Sequence, residues 1–230
     1  MTEDTIMLLS RRTLLACLPL LLCAALPRRS AAAPDNRVSK SVAQYGRDVE
    51  YYYQRPRPEV LDGMLRAMDA ARIFAVPDKR LTLAAFFAEI FRRNSAQEAL
   101  LRQEALSAEG QSMLDEASAL AGVRGKPELL PPLLKKDILQ DATHVSMCWA
   151  GFGASGDVRY VDALIAAAAD FARRNAARLP QDLRFRVGQE AARTLFDYAR
   201  RHPLVMRRCV EARASAAPDA AEMLRRVVEG

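Results

Sequence analysis

Apolar residues recur along this chain at the three- and four-residue spacing of an α-helix. One such stripe consists of Val158, Val161, Leu164, Ile165, Ala168 and Phe171. A second stripe consists of Leu183, Val187, Ala191 and Leu195. No stretch longer than a few residues alternates apolar and polar positions, as a half-buried strand would. The pattern therefore predicts an all-α protein.

Residues that commonly cap helices precede several of the apolar runs. Asp157 stands directly before the first stripe, where its carboxylate can accept hydrogen bonds from the free backbone N–H groups of a helix start. Asp78 has the same relation to residues 83–91, which are apolar over so much of the helical surface that a central helix is expected. Ser95 and Glu98 have the spacing of a capping box.

Breaks that contain proline or glycine separate the predicted helices, and Pro218 fits the first position of the last helix. The breaks lie at Pro56 and Pro58, Pro77, Gly122 to Pro127, Pro131 and Pro132, Gly151 to Gly156, Pro180 and Pro203. Short breaks favour antiparallel neighbours, so we expect about eight or nine helices. A helix, a basic exit and a new helix follow both Phe86 and Leu195, which favours an irregular α-solenoid of the HEAT or TPR kind. An orthogonal helical bundle is the alternative.

The first 32 residues have the features of a secretory signal peptide. A leucine-rich run from Leu14 to Leu26 follows two arginines and is shorter than the roughly 20 apolar residues that span a bilayer. We expect cleavage after Ala32, because a cut after Ala33 would place Pro34 next to the severed bond. The predicted organisation is a signal peptide at 1–32 and a single helical domain at 33–230, with a candidate hinge at 122–132.

Export would place the mature chain in the periplasm or outside the cell. Residues 10–15 are similar to a twin-arginine signal, whereas the very hydrophobic run after them suits export of an unfolded chain. Removal of residues 1–32 lowers the formal net charge from +6 to +4. Arginine outnumbers lysine 29 to 5 and alanine is abundant, which is typical of a GC-rich genome rather than of phosphate binding. We therefore predict no nucleic-acid partner and no transmembrane span in the mature chain.

Two groups of motifs resemble a known family. They are Tyr51-Tyr52-Tyr53 with Pro56-Arg57-Pro58-Glu59 and residues 86–92, and then residues 149–161 with Arg201-His202-Pro203. Together they resemble an uncharacterised family of exported bacterial α-helical proteins, over most of the mature chain. That family has no assigned activity, so the resemblance implies export and a helical fold only.

The mature chain has only two histidines and two cysteines, and they fall in two short segments. His144 and Cys148 are four residues apart on one helical face, and His202 and Cys209 lie farther along. If the two segments meet, these side chains could form a tetrahedral zinc site. A disulfide between Cys148 and Cys209 and two buried free thiols are the competing interpretations. These four residues are therefore candidates, and we assign no metal, cofactor or catalytic residue.

Two further features are candidate sites. Glu89 lies in a phenylalanine-rich segment, where a carboxyl group could act as a general acid or pair with a neighbouring arginine. Tyr51, Tyr52 and Tyr53, beside two prolines, could form a binding platform or hold the N-terminal segment on the first helices. Gly151, Gly153 and Gly156 follow a predicted helix rather than a strand, so they do not indicate a phosphate-binding loop.

The chain contains no recognisable set of catalytic residues, which favours a non-enzymatic function. We expect an exported helical interaction or scaffold module that binds a protein or another macromolecule of the cell envelope. The alternative is a small periplasmic enzyme or metal-binding protein built around Glu89, His144, Cys148 and His202.

Overall fold

The computed structural model describes residues 36–230, with side chains from residue 44 onward, so the predicted signal peptide lies outside the described residues. This range is all-helical, with no strand, which confirms the predicted fold class. It holds ten α-helices, where eight or nine were expected. They are α1 Asn36–Tyr51, α2 Leu61–Ala70, α3 Pro77–Arg93, α4 Ser95–Leu101, α5 Ala108–Ala121, α6 Thr143–Ser155, α7 Val158–Ala176, α8 Leu183–Ala199, α9 Pro203–Arg213 and α10 Pro218–Glu229.

Helix α3 is the central element, as its apolar sequence predicts. Every residue from Leu83 to Arg92 is buried, and the helix packs against α5 on one side and α6 on another. The predicted cap at Asp78 is wrong: Val76 is the N-cap and Pro77 is the first helical residue, so Asp78 falls in the first turn. Proline at that position has no N–H to satisfy, and its fixed φ starts the helix two residues earlier than a cap at Asp78 would.

Of the other three predicted helix starts, two are confirmed and one is wrong. The Asp157 carboxylate accepts from the Arg159 N–H at 3.0 Å, and Pro218 lies in the first turn of α10. The capping box at Ser95 does not form, because the Asn94 side chain caps α4 by accepting from the Ala96 N–H at 3.2 Å.

The C-terminal half is built on α7 and α8, which lie against each other along their apolar stripes. Val161, Leu164 and Ala168 of α7 and Val187, Ala191 and Leu195 of α8 are buried, as the spacing predicts. Helices α9 and α10 cover this pair, and α6 connects it to α3 and α1. The described core is therefore continuous from one half of the chain to the other.

Close helix contacts explain the glycines of α6. A Cβ atom on Gly153 would lie 2.5 Å from the backbone oxygen of Val49 in α1, and one on Gly151 would lie 2.6 Å from the Tyr160 ring. Gly156 ends the helix with φ of 68°, a left-handed conformation that glycine adopts without strain. These glycines allow α1 and α7 to approach α6 closely.

None of the helices within residues 36–230 combines the length and the apolar character that crossing a membrane requires.

Candidate functional site

A half-open pocket lies where the segment after α1 meets the ends of α3 and α6. Its volume is about 190 Å³. We call it the Tyr–Pro pocket, after the four residues that form one wall: Tyr52, Tyr53, Pro56 and Pro58. The remaining lining residues are Ile90, Arg93, Asn94, Gln97, Ala154 and Ser155. The pocket is mainly apolar, with polar groups contributed from the end of α3 and the start of α4.

Two polar side chains of the pocket already form hydrogen bonds within the protein, and two do not. The Asn94 side chain caps α4, and the Ser155 hydroxyl donates to the Gly151 carbonyl at 2.6 Å. The side chains of Arg93 and Gln97, in contrast, have no hydrogen-bond or ion-pair partner within the described part of the chain. Arg93 is exposed at the rim and forms no ion pair there, although its charge also acts on Glu89 and Asp157. The pocket thus offers one accessible cation and one amide without a hydrogen-bond partner beside an apolar wall.

A hydrogen-bonded chain of three side chains lies behind Tyr53. The Nδ1 atom of His202 is 3.1 Å from the Tyr53 hydroxyl, and its Nε2 atom is 3.2 Å from Oε1 of Glu50. Arg201 also binds Oε1 of Glu50, at 2.6 Å, so this carboxylate oxygen contacts two neighbouring residues. Both ring nitrogens of His202 are thus engaged, one by Glu50 and the other by Tyr53. These hydrogen bonds hold Tyr53 against the rest of the protein.

His202 also lies inside a stack of aromatic rings. Tyr51 stacks on one side of it at 4.6 Å between ring centroids, and Tyr198 on the other at 5.2 Å. Trp149 stacks on Tyr198 at 3.8 Å. Burial raises the pKa of Tyr198 above its ordinary value, as does the charge of Glu50. The three tyrosines therefore separate: Tyr52 and Tyr53 line the pocket, whereas Tyr51 belongs to the stack.

Glu89 is buried beside a cation and a hydroxyl. Arg92 Nη1 and the Tyr160 hydroxyl both donate to Glu89 Oε1, at 3.0 and 2.8 Å. Burial raises the pKa of Glu89 above its ordinary value, while Arg92 and Tyr160 oppose the increase. Of the two possibilities in the sequence, general acid or arginine partner, the structure shows the arginine pair. Glu89 does not line the Tyr–Pro pocket.

Arg92 and Arg159 also hold the loop at 122–131, which makes up most of the candidate hinge at 122–132. Arg92 Nη2 donates to the Leu129 carbonyl at 2.7 Å. Arg159 donates to the carbonyls of Pro127 at 2.7 Å and Glu128 at 2.9 Å. The backbone polar groups of this loop are thus turned inward onto two arginines.

The four histidine and cysteine candidates do not come together. Cys148 and Cys209 are free thiols and both are buried. His202 is engaged by Glu50 and Tyr53, and His144 is partly buried at the start of α6. Within residues 36–230 no group of three or more His, Cys, Asp or Glu side chains is arranged to hold a metal ion. Neither the zinc set nor the disulfide is formed in this structure.

Sequence reasoning missed Glu50, the place of Arg93 at the pocket rim, and the contacts of Arg92 and Arg159 with the loop. Glu50 and Arg201 stand next to residues that the sequence did single out, Tyr51 and His202, but the chain separates Glu50 from His202 by 152 positions. Only the adjacency of a carboxylate to the three tyrosines could have drawn attention to it. Nothing in the sequence distinguishes Arg93 from the many other arginines.

Comparison with protein-family models, with curated proteins and with solved structures gives no match for this chain.

Proposed function

We propose that the protein is an exported, non-catalytic helical module that binds a polypeptide of the cell envelope through the Tyr–Pro pocket. The observation that carries this proposal is the pairing of an apolar tyrosine and proline wall with the exposed guanidinium of Arg93 at the rim. Aromatic and proline surfaces take up apolar side chains at low entropic cost, and arginine recognises carboxylates and carbonyls.

The size of the pocket supports a polypeptide ligand rather than a small-molecule substrate. Its volume of about 190 Å³ is smaller than the roughly 300–1,000 Å³ typical of small-molecule sites. A single apolar side chain, with the flanking backbone outside the pocket, suits such a space. The unengaged Gln97 amide could then pair with a peptide group of the ligand, as amides do when an extended segment lies across a protein surface.

The enzymatic alternative around Glu89, His144, Cys148 and His202 receives less support. Glu89 and His202 are engaged by different partners, and His202 is fully buried. Burial raises the pKa of Cys209 to about 12 and raises that of Cys148 as well, which disfavours a reactive thiolate.

For the arrangement of the helices we favour a globular bundle over a solenoid. In a solenoid each unit contacts its neighbours along the chain. Here α1 packs against α6, and α10 packs against α7. Contacts between elements so far apart in the chain are typical of a closed bundle.

Photo-crosslinking in cells tests the proposed binding site. A benzophenone amino acid at Pro56, which is exposed in the pocket wall, should give an adduct with a discrete polypeptide. The same probe at Arg186, an exposed α8 residue outside the pocket, serves as the matched control. The adduct should weaken with Arg93→Gln and with Tyr53→Ala but persist with Arg186→Gln.

A further variant separates the contribution of the Tyr53 ring from that of its hydroxyl. Tyr53→Phe keeps the aromatic wall and removes only the hydroxyl that contacts His202. Binding should survive this change, because the ring supplies the apolar surface. Equal adducts at Pro56 and Arg186, or adducts insensitive to Arg93→Gln and Tyr53→Ala, would contradict the proposal. Loss of the adduct in Tyr53→Phe would instead show that binding depends on the contact of the hydroxyl with His202.

A further inference from the structure

A second surface, on the loop between α5 and α6, exposes several large apolar side chains. Seven large apolar side chains are exposed in the described part of the chain, and three of them lie on this loop. They are Val123, Leu129 and Leu130, with 57%, 44% and 45% of their surface exposed. We call these three residues, with the lysines described next, the loop patch.

Lysines accompany these apolar side chains. Of the five lysines in the chain, three fall within eleven residues here, at Lys126, Lys135 and Lys136. All three are exposed, and none has an ion-pair partner within residues 44–230. The other charges close by in sequence are mostly neutralised, since Arg124 pairs with Glu98 and Asp137 with Arg184.

One neighbouring acid remains unpaired in the described residues. Glu128 is exposed, and only its backbone carbonyl is engaged, by Arg159. Three free lysines against one free carboxylate leave the loop patch with a local charge of about +2. The patch therefore combines exposed leucines with an excess of positive charge.

The structure explains why the leucines stay outside. The carbonyl of Leu129 accepts from both Arg92 and Arg159, at 2.7 and 3.1 Å, and the carbonyl of Pro127 accepts from Arg159. Because the backbone carbonyls are held inward by these bonds, the side chains of residues 129 and 130 stay at the surface, where they line a shallow pocket of about 90 Å³ with Val123 and Lys135. Pro131 and Leu133, directly after them, are buried and anchor the end of the loop.

The geometry points to the loop patch as a docking surface for anionic lipid. Exposed leucines beside lysines suit a bilayer interface, where apolar side chains enter the acyl boundary and ammonium groups meet phosphate. The charge of the patch complements an anionic membrane, and three apolar side chains are enough for a weak, reversible contact only. This contact is independent of the Tyr–Pro pocket, none of whose lining residues belongs to the patch.

A local fluorescence probe tests this inference in the full chain. The chain has a single tryptophan, Trp149, which is buried and gives a constant background. In Val123→Trp, the emission should shift to the blue when phosphatidylglycerol vesicles are added, and brominated lipid should quench it. Val210→Trp, at an exposed α9 position, is the matched control and should not respond. A signal at residue 123 is insensitive to membrane binding by other parts of the chain.

Variants in the Val123→Trp background measure how much the lysines and the leucines each contribute to vesicle binding. Each lysine near an anionic surface strengthens binding by about fivefold, so replacing all three by glutamine should weaken binding on the order of 100-fold. Leu129→Ser with Leu130→Ser should weaken it at least tenfold, and phosphatidylcholine vesicles should give no shift. Far-UV circular dichroism checks that the variants remain helical.

Three outcomes would overturn the inference. One is a Val123→Trp emission that phosphatidylglycerol vesicles leave unchanged, or change no more than that of Val210→Trp. Another is binding that does not depend on the lysines or on vesicle charge. The third is a blue shift without vesicles that increases with protein concentration, which would assign the patch to a second copy of this chain instead.

Discussion

Replacing Arg92 by methionine should strongly destabilise the protein at neutral pH. Arg92 is 2% exposed and donates to Glu89 Oε1 at 3.0 Å, so the substitution leaves a buried carboxylate with only the Tyr160 hydroxyl as partner. Removing one partner of a buried ion pair typically costs about 3–5 kcal/mol. That is a large part of the roughly 5–15 kcal/mol by which most domains are stable.

Two details of the structure adjust this magnitude. The Leu129 carbonyl loses Arg92 but keeps Arg159 at 3.1 Å, so it is not left without a donor. The Nε atom of Arg92 is buried without a partner in the described residues, and methionine removes that unfavourable group. Both effects keep the expected loss near the lower end, at about 3 kcal/mol.

The loss should depend on pH. Burial raises the pKa of Glu89, and Arg92 is the strongest influence that lowers it, so its removal raises this pKa further. A carboxyl group with a raised pKa in the folded state stabilises the fold below its unfolded pKa and loses that contribution as pH rises through the folded value. The variant should therefore lie closer to the wild type at pH 5 than at pH 7.5.

Urea unfolding followed by circular dichroism at the two pH values measures this prediction. Adding Glu89→Gln to Arg92→Met removes the titrating group and should abolish the pH dependence of the difference. Arg66→Met, which removes an exposed arginine paired with Asp62 and Glu104, is the surface control and should leave the midpoint nearly unchanged. An Arg92→Met variant as stable as Arg66→Met, or equally destabilised at both pH values, would refute the reasoning.

Two further predictions concern processing and the cysteines. Mass spectrometry of the protein recovered from cells should give an N-terminus at Ala33, because the apolar run and the small residues after it suit signal cleavage; a chain with its leader intact in the cytosol would contradict export. A thiol reagent should react with Cys148 and Cys209 only after the chain is denatured, because both are buried and burial raises the pKa of each. No reductant should be needed, because both thiols are free. If the denatured chain released thiols only after reduction, the two would be bridged.

The fold was predictable where the information is local. The stripe from Val161 to Ala168 and the apolar segment around Phe86 fix a helical period within a few turns, and tertiary packing only had to use the faces they provide. Helix starts were less predictable, because adjacent residues compete for one position. Asn94 and Ser95 can both cap a helix, and the extended backbone of Asn94 decides between them.

The candidate site was only partly predictable, because its residues meet across the chain. The tyrosines and His202 were visible as unusual residues, but the contact of His202 with Glu50 spans 152 positions and leaves no periodic pattern. Cysteines are common zinc ligands, but their presence in the sequence does not show whether Cys148 and Cys209 meet in the fold. The exposure of Arg93 at the pocket rim depends on which residues pack around it, and that is a property of the assembled structure.

The contact between Glu50 and His202 also sets an order of assembly. Helix α1 is synthesised before the junction of α8 and α9 that holds its last turn. Until that junction is made, Glu50 has neither of its partners at positions 201 and 202. In a growing chain, helix α1 can therefore form this contact only after about 150 further residues have been added. A chain cut short before residue 201 would lack this closure altogether.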